Sequence, residues 1–356
     1  MTYENIQGRV DIDLTTLSKY SVEYGDILFQ RSSETREEVG TANVYLDKKN
    51  KATFGGFVIR GKKMGIYNPL FLHNLLKTQT ARNSITSKSG GSTRYNVGQE
   101  TLSSVELFYP EIEEQQKIAT FLSLIDERLS LSSKIIEQLE LYFQGISDNV
   151  FSQQIRFKEF SEEWELETLG NIGSTYNGLS GKTKEDFGDG EMYIQYKQIF
   201  DKSKIELSDC DLVRVNENEN QNKAKYGDIF FTISSETPNE IGMSSVLLDN
   251  VEEIYLNSFC FGFRIHSFKK MLPEFARFLF RSKKFRFSII KLAQGSTRYN
   301  MSKGEFNKLS VKIPSIEEQS KIASFLSAID QKIETEKAIL EQLQLQKKYL
   351  LQNLFV

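Results

Sequence analysis

Two histidines and two cysteines in 356 residues leave little material for side-chain chemistry. His73, His266, Cys210 and Cys260 include no CxxC pair, so no zinc cluster is expected. No uninterrupted apolar run approaches the ~18 residues that span a bilayer, and MTYENIQGRVDIDL lacks the charged-then-apolar pattern of a leader. A reducing, cytoplasmic setting without membrane contact is the expectation. Catalytic signatures are missing too. Gly178–Thr183 reads GLSGKT, but the glycine that a phosphate loop needs five residues before the last Gly-Lys is Tyr176, which leaves a flexible loop. There is no GxSxG elbow, and the only Asn-Pro, Asn68-Pro69, is followed by Leu70 rather than by the Pro-aromatic pair of amino-methyltransferases. His73 sits among leucines, as a packed or surface histidine does. Glu113-Glu114 and Glu317-Glu318 fall where helices begin, and carboxylates there favour the positive end of the helix dipole. These absences leave no catalytic residue to assign.

Charge of one sign is missing from particular stretches. The net charge of −3 speaks mildly against nucleic acid. Yet Lys48–Gln99 holds ten Lys and Arg and no acid, and Ile254–Gly304 holds eleven with Glu274 alone against them. Two basic faces for phosphates on an otherwise acidic protein are expected, with Lys62, Lys63, Lys283 and Lys284 among their candidates.

Both windows end near the same hexapeptide. GSTRYN stands at Gly91–Asn96 and again at Gly295–Asn300. Tyr24-Gly25-Asp26 matches Tyr226-Gly227-Asp228, and SSET at Ser32–Thr35 matches Ser234–Thr237. From Pro110 to Asp126, 13 of 17 positions equal those from Pro314 to Asp330. Between these islands, Arg36–Ser89 and Pro238–Ala293 share little. The order is variable, fixed, variable, fixed, which reads as a duplicated domain and not a solenoid.

The fixed blocks read as helices of about 35 residues, or roughly 50 Å. Apolar positions Ile118, Leu122, Ile125, Leu129, Ile136, Leu139 and Phe143 alternate in steps of 4 and 3, with Ser132 at the polar step. Ile322, Leu326, Ile329, Ile333, Leu340 and Leu343 repeat this, with Glu336 in the place of Ser132. A polar residue in such a seam fixes register at some cost in stability. Ser315 with Glu318 predicts a capping box. The simplest partner for one helix is the other, and a heptad does not say whether they run parallel or antiparallel. The variable blocks read as mixed α/β, with strands at Asp228–Ile233 and Phe259–Arg264 and one helix over Met271–Leu292. In the hexapeptide, glycine permits close backbone approach, Ser, Thr and Asn offer short hydrogen-bonding groups, and arginine offers a planar fork. It fits a phosphate clamp, or a turn that pairs Arg94 and Arg298 with helix carboxylates.

With YGDIFFTISSETPNEIG from Tyr226, GSTRYNMSKGEFNKLSVKIPSIEEQSKIASFLSAIDQKIE from Gly295 and FSEEWELETLGNIG from Phe160, the chain resembles the specificity subunit of type I restriction-modification systems. The resemblance implies an α+β fold: two mixed α/β target recognition domains, residues 1–109 and 153–313, joined by repeated helices at 110–152 and 314–356 that form an antiparallel coiled coil. It implies a non-catalytic subunit on double-stranded DNA, each domain reading one half of a split site. The helices would dock two methyltransferase subunits that carry S-adenosylmethionine and methylate adenine. Two restriction subunits are optional further partners, and no cofactor belongs to this chain. Against the family pattern the first domain reads as shortened at its start. The implied DNA-facing residues are Arg31, Ser32, Ser33 and Thr35, then Ser92, Thr93, Arg94, Tyr95 and Asn96. In the second copy they are Thr232, Ser234, Ser235 and Thr237, then Ser296, Thr297, Arg298, Tyr299 and Asn300. Ile118, Leu122, Ile125 and Leu129 would face Ile322, Leu326, Ile329 and Ile333 in the seam. The alternative is a truncated or non-DNA-binding coiled-coil adaptor, which the acidic total favours.

Overall fold

Helices of 40 and 38 residues, Ile112–Phe151 and Ile316–Asn353, dominate the computed structural model, which describes residues 1–355. The first is longer than its heptads suggest because its last turn carries Val150 and Phe151 into a core, 5% and 2% exposed. The chain folds as two units, Met1–Ile136 with the helix from Glu336 onward, and Glu137–Thr335. Among the described residues no helix is long and apolar enough to cross a membrane.

In the first unit, strand Ile27–Gln30 pairs antiparallel with Ala42–Val44 on one side and Val58–Gly61 on the other. Two short helices follow, each begun by its cap. Asn68 accepts from the N–H groups of Leu70 and Phe71, and Thr78 from that of Ala81. Their apolar sides bring Phe71, Leu75, Leu76 and Ile85 onto Val39, Val44 and Val97, and Ala119 of the long helix closes this core. Phe355 also reaches it, its ring 5.2 Å from that of Phe71. Lys347 donates to Asp126 on the other long helix.

In the second unit the corresponding strands Ile229–Thr232, Ser244–Val246 and Cys260–Ile265 form the same antiparallel set, extended by Gly173–Asn177. A further sheet joins Ile254–Leu256 in parallel to Phe187–Ile194, which pairs antiparallel with Asp211–Val213. Phenylalanines make the core. Phe231 and Phe306 lie 4.7 Å apart, Phe280 and Phe285 4.8 Å, Phe261 and Phe306 5.0 Å. Val150, Phe151, Ile322 and Leu326 of the long helices join them.

Two expectations need correction. Met271–Leu292 is not one helix but two, Pro273–Leu279 and Lys283–Ile290. Ser282 breaks it, donating to Leu279 O at 2.6 Å while its Oγ caps Phe285 N–H. The capping box is half made. Ser315 accepts from Glu318 N–H, but the Glu318 carboxylate turns away to the Arg156 guanidinium at 2.7 Å.

A glutamine in each fixed block does something its surroundings did not announce. Gln115 is 2% exposed, accepts from Asn68 N–H at 3.0 Å and donates to Pro110 O at 2.8 Å. Gln319 is fully buried, accepts from Leu272 N–H at 2.9 Å and donates to the carbonyls of Lys270 and Pro314, both at 2.9 Å. Each ties the start of a long helix to the start of a short helix in the variable block.

Every seam position named above is buried or half-buried, Leu122 and Leu326 completely. Burying such a leucine contributes about 1.5–3 kcal/mol. Ser132 is 5% exposed, and among the described residues its Oγ finds no hydrogen-bond partner. Removing an unsatisfied buried hydroxyl stabilises, so Ser132→Ala should raise stability by about 1 kcal/mol. Urea denaturation checks this, and a lower midpoint would mean the hydroxyl is engaged.

Candidate nucleic-acid interface

The two short motifs meet in space. Strand Ser32–Ser33 pairs antiparallel with Tyr95–Asn96, register Ser33 to Tyr95, and Ser234–Ser235 pairs with Tyr299–Asn300 in the same way. Val97 N–H donates to Arg31 O and Met301 N–H to Ile233 O, both at 3.0 Å, which anchors the second motif behind the first. The hexapeptide then doubles back on itself. Asn96 and Gly90 exchange backbone bonds of 2.8 and 3.0 Å, as do Asn300 and Gln294. Only glycine can make this turn. Gly91 and Gly295 have φ of +117° and +132°, and a Cβ on either would stand 2.1 Å from the carbonyl oxygen of Arg94 or Arg298. Tyr95 and Tyr299 pack inward on the cores. Ser92, Thr93, Arg94 and Asn96, with Ser296, Thr297, Arg298 and Asn300, stand exposed at the tips.

Among the described residues neither Arg94 nor Arg298 has an ion-pair partner, so the pairing of these arginines with helix carboxylates is not realised. Arg298 lies over the Phe259 ring, 5.9 Å from its centre. It also borders a groove of about 410 Å³ with Tyr196, Lys197, Phe200 and Glu236. Tyr196 and Phe200 stack at 6.3 Å with 17° between planes, and the Tyr196 hydroxyl donates to Ser234 O at 2.7 Å. The i,i+4 spacing in YKQIF was the signal for this aromatic pair. Arg94 borders a groove of about 1010 Å³ with Arg9, Tyr20, Leu28, Phe54 and Phe57.

Several expected contacts prove internal. Thr232 is fully buried, and its Oγ1 accepts from Met243 N–H at 3.0 Å. Ser33, Ser234 and Ser235 are at most 6% exposed. Ser33 donates to Glu38 at 2.8 Å and Ser235 to Thr237 O at 2.5 Å. They build the turn and do not face solvent, because a strand so short must satisfy its hydroxyls locally. Arg31, Thr35 and Thr237 remain exposed, and Ser32 is half-buried.

The second basic window is also less basic outside than in sequence. Arg264 pairs with buried Asp228 at 2.6 Å, which raises its pKa, and Lys270 pairs with Glu165 and Glu167, both at 2.7 Å. Arg277 donates to Asp330 and, at 2.8 Å, to Ser203. Arg281 donates to the carbonyls of Ser244, Lys202, Ile199 and Phe200 at 2.6–3.0 Å. Arg286 takes those of Gly242 and Asn239 at 2.6 and 2.9 Å. Burial pushes the Arg281 and Arg286 guanidiniums down to about 10. In the first window Arg82 likewise holds the carbonyls of Glu37 and Val39, both at 2.7 Å. Lys62, Lys283 and Lys284 are exposed, while Lys63 is half-buried, 5.0 Å over the Tyr67 ring. His73 is packed, with Lys77 Nζ at 2.8 Å; burial, then that ammonium, push its imidazole down to about 4. The GLSGKT stretch is tied down by Lys182, 2.5 Å from Glu219.

What remains outside includes Arg31, Lys62, Lys283 and Lys284 and, at each tip, an exposed arginine fork beside exposed hydroxyls. Such a tip can hold a phosphate, or a guanine edge, bidentately. The profile of the type I restriction modification DNA specificity domain matches residues 8–141 and 161–345. The chain is 31% identical over 153 residues to the type I restriction enzyme MjaIX specificity subunit of Methanocaldococcus jannaschii, a match taking in 39% of this chain and 35% of that relative. It is 25% identical over 364 residues to the putative MjaX specificity subunit of the same organism, 96% of this chain and 80% of that one. In fold it is similar to the type I restriction-modification S subunit from M. genitalium, at 18% identity, 95% and 85% coverage and a TM-score of 0.55.

Proposed function

Because this chain belongs to the type I restriction-modification DNA specificity family, we propose that it selects the DNA sequence for a methylating complex, each unit reading one half of a split site. The observation that carries this reading is the exposed tip, its arginine without an ion-pair partner among the described residues, built alike in both units from motifs some 60 residues apart. Identical tips cannot read different bases, so they clamp phosphate, and discrimination falls to the dissimilar blocks Arg36–Ser89 and Pro238–Ala293. The long helices run antiparallel as a coiled coil that sets the spacing of the half-sites and docks two methyltransferase subunits. S-adenosylmethionine and adenine methylation belong to those partners. This chain supplies position, and its own catalytic contribution is nil. Restriction subunits, where present, join the same assembly in the cytoplasm.

Co-expression with its methyltransferase partner in a methylation-free host, followed by mapping of modified adenines, tests the reading. A split motif with two unlike halves is expected. A symmetric motif would mean that one unit alone reads, and no methylation would favour an adaptor.

Arg298→Ala should weaken DNA binding about tenfold or more and lower the log–log salt slope by about 1, without changing the motif. A changed motif would make Arg298 a base reader. The adaptor remains the second reading because Arg264, Arg277, Arg281 and Arg286 point into the fold. Binding insensitive to salt, or none with the methyltransferase present, would favour it.

A further inference from the structure

Phe57 and Phe259 hold the same place in the two units. Strand register fixes this. Gln30 faces Val58 as Thr232 faces Cys260, so the residues just before, Phe57 and Phe259, correspond. Each stands third in a tight turn, closed by Val58 N–H on Gly55 O at 3.0 Å or by Cys260 N–H on Asn257 O at 3.1 Å. The strand leading to the tip then takes each carbonyl. Arg31 N–H donates to Phe57 O at 2.8 Å, and Ile233 N–H to Phe259 O at 3.0 Å. Phe259 N–H donates to the side chain of Asn257 at 2.8 Å. The backbone under each phenylalanine is thus tied down, while the residues themselves are 72% and 56% exposed.

One exposed phenylalanine needs no explanation. Two at matching positions do, because Arg36–Ser89 and Pro238–Ala293 otherwise share little. The turns do not ask for a ring, since Gly55-Gly56 leads into one and Asn257-Ser258 into the other. What the two rings share is a neighbour. The Arg298 guanidinium lies over the Phe259 ring, 5.9 Å from its centre, and Arg94 lines one groove with Phe57. A protein partner is held by a broad apolar area, and here a single ring rises from glycine, or from asparagine and serine. A cation beside one flat apolar face suits duplex DNA, which offers phosphate outside and stacked bases within. Identical rings cannot tell two half-sites apart, so their contact is one that any base step allows.

We propose that Phe57 and Phe259 are wedges: with the neighbouring arginine on a phosphate, each ring enters between adjacent base pairs, unstacks them in part and kinks its half-site there. The proposal rests on the DNA-reading assignment and adds a deformation to it. Unstacking costs free energy, which stacking of the ring on a base offsets. The fixed turn matters to this role, because a ring on a mobile loop would yield before the duplex did.

Fluorescence energy transfer tests it, on the full chain in complex with its methyltransferase. The probes are duplexes carrying the motif that adenine mapping returns, with donor and acceptor flanking one half-site or the other. Binding should raise transfer across each half-site. Phe259→Ala should abolish the rise at one half-site alone, and Phe57→Ala at the other alone. Each should weaken binding about tenfold and leave melting and the methylated motif unchanged. A rise that survives both substitutions, or bound parent with no rise, overturns the proposal and leaves the DNA-reading assignment standing. A changed motif overturns it and makes the ring a base reader, through a thymine methyl. Loss of the methyltransferase from the purified complex overturns it and gives the ring to that protein. A parent complex that neither binds nor methylates DNA overturns the proposal and the assignment together.

Discussion

Gly295→Ala should lower the stability of the second unit by about 2 kcal/mol and weaken DNA binding tenfold or more. The two effects have one cause. At φ +132° a side chain is strained, and its Cβ would stand 2.1 Å from Arg298 O, so the loop must open. Opening it breaks the Asn300–Gln294 exchange and lets the Arg298 fork wander from its place. Gly91→Ala should do the same in the first unit, where the same 2.1 Å approach to Arg94 O recurs. Ser296→Ala, at the exposed tip, is the control and should leave melting unchanged. Thermal melts followed by circular dichroism read the stability, and fluorescence anisotropy with labelled duplex reads the binding. A Gly295→Ala protein that melts and binds like its parent would sink the argument. One that loses stability but keeps its affinity would remove the tip from the interface.

Arg281→Met should destabilise the second unit by about 3–5 kcal/mol. Methionine keeps much of the stem's apolar contact and removes the guanidinium. The carbonyls of Ile199, Phe200, Lys202 and Ser244 then lose a shared donor, three of them in partly buried positions. The guanidinium pays a desolvation penalty already, visible in a pKa pushed down to about 10, and it survives there because its Nε and Nη2 donors meet four fixed carbonyls. Lysine cannot substitute, since one ammonium cannot span four acceptors. The single tryptophan, Trp164, is 6% exposed in this unit's core, so its fluorescence in a urea titration reports the unit's unfolding. An unchanged midpoint would mean that the carbonyls are satisfied some other way.

The sequence exposes what is periodic and what is repeated. The buried stripe from Ile118 to Phe143 follows from 4-and-3 spacing, and the tip follows from a hexapeptide written twice. It hides what depends on distance along the chain. Nothing local says that Ser33 will pair with Tyr95, or that SSET turns its serines inward and leaves Thr35 and Thr237 outside. Basic residues deceive for the same reason. Arg281 and Arg286 look like a surface in a window of eleven cations, and only the fold reveals that backbone carbonyls have claimed them, for Arg281 those at the end of helix Tyr196–Asp201 and in strand Ser244–Val246. The break at Ser282 was hidden because apolar and basic residues continue across it without a glycine or proline.

Across their joints Gln115 and Gln319 bond to main-chain atoms: an N–H of Asn68 or Leu272, a carbonyl of Lys270. Those bonds are blind to the side chains that stand there, although Asn68 adds a side-chain bond to Gln116 at 2.6 Å. Asparagine at one joint and leucine at the other are held by the same glutamine. The sequence between the joints can therefore drift without renegotiating how it is mounted. On the proposed reading, that leaves a recognition block free to change while the helices that hold it stay as they are.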